Sequence, residues 1–117
     1  LQKGSYVEAC DNSGAKVLKI VSVKRKTKGR VAGIGDMFLA SVVKGRPDMR
    51  KQVVFAVLVR QKKEYRRANG VRIQFEDNAA VVLKDDGNPK GTIFKGPIAK
   101  EVNEKWPGIA KIASLVV

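Results

Sequence analysis

Short runs rich in Val, Ile and Phe recur along the chain at residues 6–10, 16–23, 37–44, 53–60, 71–75 and 79–84, with turn residues between them. That rhythm predicts an all-β barrel. Val71, Ile73 and Phe75 alternate with Arg72 and Gln74, the period of two of a strand with one wet face. Residues 53–59 are apolar throughout and predict a strand buried on both faces. Asp11-Asn12-Ser13-Gly14, Asn69-Gly70 and Asp85-Asp86-Gly87-Asn88 supply residues that tolerate a left-handed backbone and close hairpins, and Gly33 and Gly35 do the same before Asp36. A closed barrel also removes the exposed strand edges that such apolar strands would otherwise present. After Gly91 the pattern changes: Pro97 and Pro107 stand at first-turn positions of two short helices, 97–105 and 107–113. No repeat, low-complexity tract or linker interrupts the chain. The expected organisation is one domain, 1–117, with a basic barrel over 1–90 and a C-terminal loop and short helices, 91–117, packed on it.

Composition narrows the class. The 117 residues carry 24 Lys and Arg against 11 Asp and Glu, for a formal net charge of +13, with no His and one Cys. A domain of this length has a radius of gyration of ~13 Å, and so high a charge on so small a body favours a polyanionic partner. The charge is also unevenly placed. Residues 1–75 hold 18 Lys and Arg and 5 Asp and Glu, whereas residues 76–117 hold 6 of each. That asymmetry predicts one anion-binding surface and a second, electrically balanced region with another task. The cations gather as Lys24, Arg25, Lys26, Lys28 and Arg30, then Arg46, Arg50 and Lys51, then Arg60, Lys62, Lys63, Arg66 and Arg67. Each cluster flanks an apolar run, which places it on loops and strand ends.

Other chemistries find little material. One Cys makes no internal disulfide, and Cys10 at the end of an apolar strand reads as a small buried hydrophobe. Without His, the usual nucleophile-and-base sets and His-ligated metal sites are absent. Gly33-Ile34-Gly35-Asp36 lacks the third glycine and the strand-to-helix setting of a phosphate cradle, and reads as a plain loop. Glu76, Asp77, Asp85 and Asp86 fit no calcium-loop spacing. No apolar run approaches the ~18 residues that cross a bilayer, and Leu1 to Tyr6 lacks the apolar stretch of a signal peptide. Basic clusters among strands, without an amphipathic helix or lipid anchor, do not suit a membrane surface. The expectation is a cytoplasmic protein that is not an enzyme, with no cofactor, metal or small-molecule substrate.

The tract from Arg60 to Arg72 is the richest in information. Only Glu64 opposes its cations, it contains Tyr65, and it ends in a hairpin turn. A protruding basic hairpin can lie along a nucleic-acid backbone, Arg forking onto phosphates and Tyr65 stacking or hydrogen-bonding. The alternative is a solvated hairpin with Tyr65 capping the barrel.

A family resemblance now becomes visible. Ala56-Val57-Leu58-Val59, then Asn69-Gly70, then Phe75-Glu76-Asp77-Asn78-Ala79-Ala80-Val81-Val82 resembles the signature of the universal large-subunit ribosomal proteins numbered fourteen, called number twenty-three in older eukaryotic usage. Asp11-Asn12-Ser13-Gly14-Ala15, Ala32-Gly33-Ile34-Gly35-Asp36-Met37 and Lys95-Gly96-Pro97-Ile98 stand where that family has similar words. Pro47-Asp48-Met49-Arg50-Lys51, Glu64-Tyr65-Arg66-Arg67 and Trp106-Pro107 are similar to its archaeal and eukaryotic branch. Two departures stand out: a shorter loop over 24–31, and Asn69 in place of the Asp common before the turn glycine. Asn also accepts positive φ, so the turn is expected to survive.

The resemblance implies a mainly β protein, a small five-stranded β-barrel with a short C-terminal helical region. It also implies a structural constituent of the large ribosomal subunit, a ribonucleoprotein component in translation. Its partners would be large-subunit rRNA near the subunit interface, small-subunit rRNA at a bridge, neighbouring ribosomal proteins, and an anti-association factor resembling initiation factor six that docks on the C-terminal region. On this basis Lys16, Arg25, Lys26, Lys28, Arg30, Arg46, Arg50, Lys51, Arg60, Lys62, Lys63, Arg66 and Arg67 are the expected RNA-binding residues. Trp106, Ile109 and Ile112 are the candidate docking residues, although Trp and Ile at helical spacing usually face a core. The competing reading is a free-standing non-specific single-stranded nucleic-acid-binding barrel. It is weakened because only 7 of 117 residues are aromatic and several lie within apolar strands.

Overall fold

Strands with alternating or fully apolar patterns gain most when every edge is paired, and here they close into a ring. The computed structural model describes residues 4–23, 34–47, 50–66, 70–84, 88–91, 94 and 96–112, the side chains of Val23 and Arg66 excepted. Its strands are β1 (Tyr6–Ala9), β2 (Ala15–Val23), β3 (Met37–Gly45), β4 (Val53–Arg60), β5 (Tyr65–Arg66), β6 (Arg72–Ile73) and β7 (Ala79–Leu83). The helices are α1 (Lys100–Lys105) and α2 (Pro107–Ala110). Five strands form the barrel in the order β1-β2-β3-β4-β7, as the resemblance implied, and β5 and β6 form a separate two-stranded sheet. The neighbours in the ring are antiparallel except at the closing seam, where β1 runs parallel to β7 with Glu8 opposite Ala79 and Ala9 opposite Ala80. The radius of gyration is 13.1 Å, the value expected for this length.

Two apolar cores result. Alternate residues fill the barrel, among them Leu18, Ile20, Phe38, Val42, Leu58 and Val82, all at most 1% exposed. Each such side chain contributes roughly 1.5–3 kcal/mol relative to an exposed position. The outward residues of β4 and β7, Val57, Val59 and Val81, form a second core with Ile98, Val102 and Ile109 from the C-terminal segment. This cover explains why every residue of β7 is buried and why β4 is buried on both faces from Ala56 to Val59. The expectation for residues 53–59 therefore needs correcting at its start. Val53 is 56% exposed because the C-terminal cover does not extend to it.

Three further elements depart from the sequence reading. The strand expected over 71–75 shortens to Arg72–Ile73, and Val71 is 50% exposed, because its partner is the two-residue β5 and not the barrel. Pro97 does not start a helix: α1 begins at Lys100, after Ala99 in extended conformation. The residues before it serve packing, with Ile98 and Ala99 fully buried and the Ala99 N–H donating to the Val59 carbonyl at 3.2 Å. Pro107 does open α2, which ends at Ala110.

The turn between β1 and β2 ties the seam. Asp11 is buried; its Oδ1 accepts from the Ser13 hydroxyl at 2.8 Å and its Oδ2 from the Val82 N–H at 3.0 Å. Burial raises the Asp11 carboxyl above its ordinary 3.8, against the lowering effect of these hydrogen bonds. A folded-state pKa above the unfolded one stabilises below pH 3.8, and that contribution is lost as pH rises through the raised value. Asp11→Asn keeps an acceptor for Val82 and removes the charge, so its stability relative to the wild type increases from acid to neutral pH; urea midpoints of both proteins across that range check this. Cys10, 4% exposed and with its thiol pushed up to about 12 chiefly by burial, is expected to resist alkylating reagents at neutral pH until the barrel unfolds. Rapid native labelling would contradict that.

Candidate nucleic-acid interface

The ring topology sets where the cations go. In the order β1-β2-β3-β4-β7, β2 lies across the barrel from the β4–β7 pair that the C-terminal segment covers. The uncovered outer side of β1, β2 and β3 carries exposed Lys16, Lys19 and Lys44, with Glu8 as the exposed acid among the described residues of these strands. Lys19 sits over the Tyr6 ring, its Nζ 5.9 Å from the ring centroid, a cation–π contact. A nine-residue strand such as β2 spans about 30 Å, so this side is long enough to join the two ends of the barrel.

At one end, the β1–β2 turn meets the β3–β4 connection. Ala15 pairs with Gly45, and a Cβ on Gly45 would come within 2.5 Å of the Gly14 carbonyl oxygen, so only glycine lets these backbones approach. Arg46 follows; its N–H donates to the Gly14 carbonyl at 2.8 Å and its Nη2 to the Ser13 carbonyl at 3.0 Å. These bonds hold the guanidinium over the turn while the residue remains exposed. Arg50 and Lys51 are exposed beside it, and Lys51 takes a left-handed φ of 63°. Non-glycine residues in that region carry a conformational cost of order 1 kcal/mol.

At the opposite end, β4 runs out at Arg60 and the chain turns through exposed Lys62 and Lys63. The Lys62 N–H donates to Asn78 Oδ1 at 2.8 Å, and Gln61 Nε2 to the Lys63 carbonyl at 3.0 Å, so this turn is rigidly placed. Arg60 behaves differently from its neighbours. Its side chain is 11% exposed, and its Nε lies 3.2 Å from Asp77 Oδ1 without aligning as a hydrogen bond. It also lies against Gly96, a position of positive φ in the segment leading to α1. Arg60 is thus a largely buried tie between β4, the segment before β7 and the C-terminal chain.

The β5–β6 hairpin is likewise held and not free. The Tyr65 hydroxyl donates to Glu101 on α1, 3.2 and 3.4 Å from the two carboxylate oxygens, and exposed Arg72 pairs with Glu64 at 3.1 Å. Tyr65 therefore joins the hairpin to the C-terminal helix, which sequence spacing could not reveal because its partner lies 36 residues away. Of the expected RNA contacts, Lys16, Arg46, Arg50, Lys51, Lys62 and Lys63 are exposed. Arg25, Lys26, Lys28, Arg30 and Arg67 lie outside the described residues, as does the side chain of Arg66. Lys19 and Lys44 were not among the expected contacts; their isolation from the charge runs hid them, although their exposed positions beside Lys16 belong to the same side.

The C-terminal region divides the docking candidates. Ile109 is fully buried in the second core, where it packs against the barrel. Trp106 and Ile112 are half-buried against that core, and the Trp106 indole N–H donates to the Gly35 carbonyl at 3.0 Å. Lys105 pairs with Asp36 at 3.8 Å. The region is thus bound to the β3 entry by two adjacent residues, Lys105 and Trp106.

The described residues form a small closed basic barrel with a cationic open side, a cationic turn at each end and an apolar side sealed by its own tail. Its aromatics do not form an extended platform for successive bases: Tyr6 alone is exposed, Phe38 and Phe94 are buried, and Phe55, Tyr65, Phe75 and Trp106 are half-buried. Among the described residues no group of three or more His, Cys, Asp or Glu could hold a metal, and no helix is long and apolar enough to cross a membrane. The family model described as ribosomal protein L14p/L23e matches residues 1–117, and the chain belongs to that family. It is similar to the large ribosomal subunit protein uL14 of Nanoarchaeum equitans, 56% identical over the whole chain and 92% of that protein. The proteins of the same name from Methanothrix thermoacetophila and Methanococcus maripaludis are 51% and 49% identical, with the chain covering 92% and 91% of them. These archaeal relatives agree with the branch that the sequence motifs resembled.

Arg60 and Lys62 are therefore expected to respond differently to loss of charge. Arg60→Met should lower stability by about 1–2 kcal/mol, discounted for the partial exposure of Asp77, and leave the salt dependence of RNA binding unchanged. Lys62→Met should leave the melting temperature within a degree or two and reduce the magnitude of the log–log salt slope by roughly 0.7–0.9. Thermal melts and RNA titrations of the two variants check both statements.

Proposed function

We propose that this chain is a structural constituent of the large ribosomal subunit in the cytoplasm, holding large-subunit rRNA near the subunit interface. The full-length match to the L14p/L23e family carries the reading, and the cationic open side and ends of the barrel support it. The barrel keeps the cations at fixed spacing, so little ordering entropy is lost when phosphates meet them. Sequence readout is slight, because A-form grooves hide base edges and recognition falls to RNA shape, 2′-hydroxyls and the backbone. Lys16, Arg46, Arg50, Lys51, Lys62 and Lys63 are the described contacts proposed for phosphate; Arg25, Lys26, Lys28, Arg30, Arg66 and Arg67 complete the proposed set.

The finer assignments extend the same reading. One cationic end reaches small-subunit rRNA at a bridge, and neighbouring ribosomal proteins share the remaining surface. The C-terminal region, with Trp106 and Ile112 half-buried, receives the anti-association factor resembling initiation factor six. Ile109 supports that surface from beneath.

With about eight phosphate contacts, RNA affinity falls with salt at a log–log slope of roughly −6 to −7. A flat dependence overturns the proposed mode of binding. Sedimentation of cell lysate at low and high salt tests the assembly itself: co-migration with large subunits is expected, and a free light fraction at low salt favours the single-strand binder.

A further inference from the structure

At the mouth of the parallel β1–β7 seam lies a cleft of about 290 Å³ whose lining includes Tyr6, Glu8, Lys62, Asp77 and Asn78. We infer that this cleft takes one unstacked nucleotide, with guanine as its preferred base, alongside the phosphate contacts made elsewhere. The inference rests on the RNA-binding reading and adds to it a base-specific site.

Each wall has a chemistry that fits. Tyr6 is 59% exposed and is the most exposed of the aromatic residues, a position that burial does not explain. A flat, solvent-facing ring bordering a cleft is what an unstacked base uses as a platform. The Lys19 ammonium lies over one face of the Tyr6 ring, so a base would take the opposite face, with that cation close to the nucleotide. Lys62, exposed on the cleft's border, supplies a second.

The remaining walls select the base edge. Glu8 is exposed and no ion pair of the described residues occupies it, whereas Asp77 has one oxygen turned to Arg60. Asn78 uses Oδ1 to accept from the Lys62 N–H, so its amide Nδ2 is the group left to donate. A carboxylate accepts both N1–H and the exocyclic amine of guanine side by side. Uracil offers a single N–H between two carbonyl oxygens, which a carboxylate repels. The cleft's size, near the lower end of the ~300–1,000 Å³ of small-ligand pockets, suits one base and not a stacked pair.

The site is formed by the fold and not by a charge run. Glu8 pairs with both Val17 and Ala79, and the Glu8 N–H donates to the Asn78 carbonyl at 3.2 Å, so the seam that closes the barrel also sets the distance between the Glu8 and Asn78 walls. Lys62 is placed there by its bond to Asn78.

Amide chemical shifts of the full chain, titrated with GMP, UMP and inorganic phosphate, test the site. GMP is expected to move the amides of Glu8, Lys62 and Asn78, with smaller movement from UMP and none of that pattern from phosphate. Tyr6→Leu should weaken GMP by about tenfold, Tyr6→Phe should retain it, and Glu8→Gln should erase the preference for GMP over UMP. Equal shifts from both nucleotides, the same shifts from phosphate, or an unaltered response in Tyr6→Leu overturns the inference. Duplex RNA bound by the wild type while GMP leaves the cleft silent overturns this site alone. Absence of salt-dependent binding to any RNA overturns the RNA-binding reading beneath it.

Discussion

Closing five strands into a ring requires one pairing that chain order does not supply for free, the parallel contact between β1 and β7 across 71 residues from Asp11 to Val82. That seam is short, with two registered pairs and cross-strand bonds from Glu8 to Asn78 and from Cys10 to Ala80. Ala79 and Ala80 stand opposite Glu8 and Ala9, and the buried Asp11 carboxylate takes the Val82 N–H beyond the last pair. Parallel pairing is slightly weaker per residue than antiparallel pairing, so the hydrogen bonds that the Asp11 side chain adds there tie the least extensive joint of the barrel, while burial disfavours its charge. The rest of the molecule depends on it. An open seam would expose the interior core and release the β1–β2 turn on which Arg46 rests.

The seam also separates the labours of the two sides. β4 and β7 are apolar outward as well as inward, and they are buried outward because the C-terminal segment packs over them. β1, β2 and β3 alternate, and their outer positions remain in water with lysines among them. Under the proposed function a polyanion meets one side and the ends of the ring, and the chain's own tail seals the other side. Polar bonds with directional geometry stand at the border of the second core: Trp106 ties the C-terminal segment to the Gly35 carbonyl beside β3, and Tyr65 ties the separate β5–β6 hairpin to Glu101 on α1.

Long side chains with like charge do not all serve the same purpose. Arg46 spends hydrogen bonds on the turn beneath it yet stays exposed, Lys62 is positioned through its backbone with its ammonium free to reach outward, and Arg60 is drawn inward by Asp77. The difference follows from what lies opposite each residue in space. A carboxylate facing a half-closed crevice draws a guanidinium in, because leaving either charge buried alone would cost several kcal/mol.

The amino-acid sequence by itself determined the barrel, the turns at 11–14 and before Asp36, the charge asymmetry and the family, since strand periodicity, positive-φ residues and motif order are local properties of the chain. It also foretold the burial of Cys10, whose apolar neighbours are adjacent in sequence. Only the tertiary structure decided that Pro97 precedes an extended packed segment, that Ile109 lies inside, that Tyr65 bonds to α1 and that Arg60 is withdrawn from the surface. Each of those outcomes depends on a partner distant along the chain, and the free energy of such contacts comes from burial and pairing across elements that no local pattern encodes.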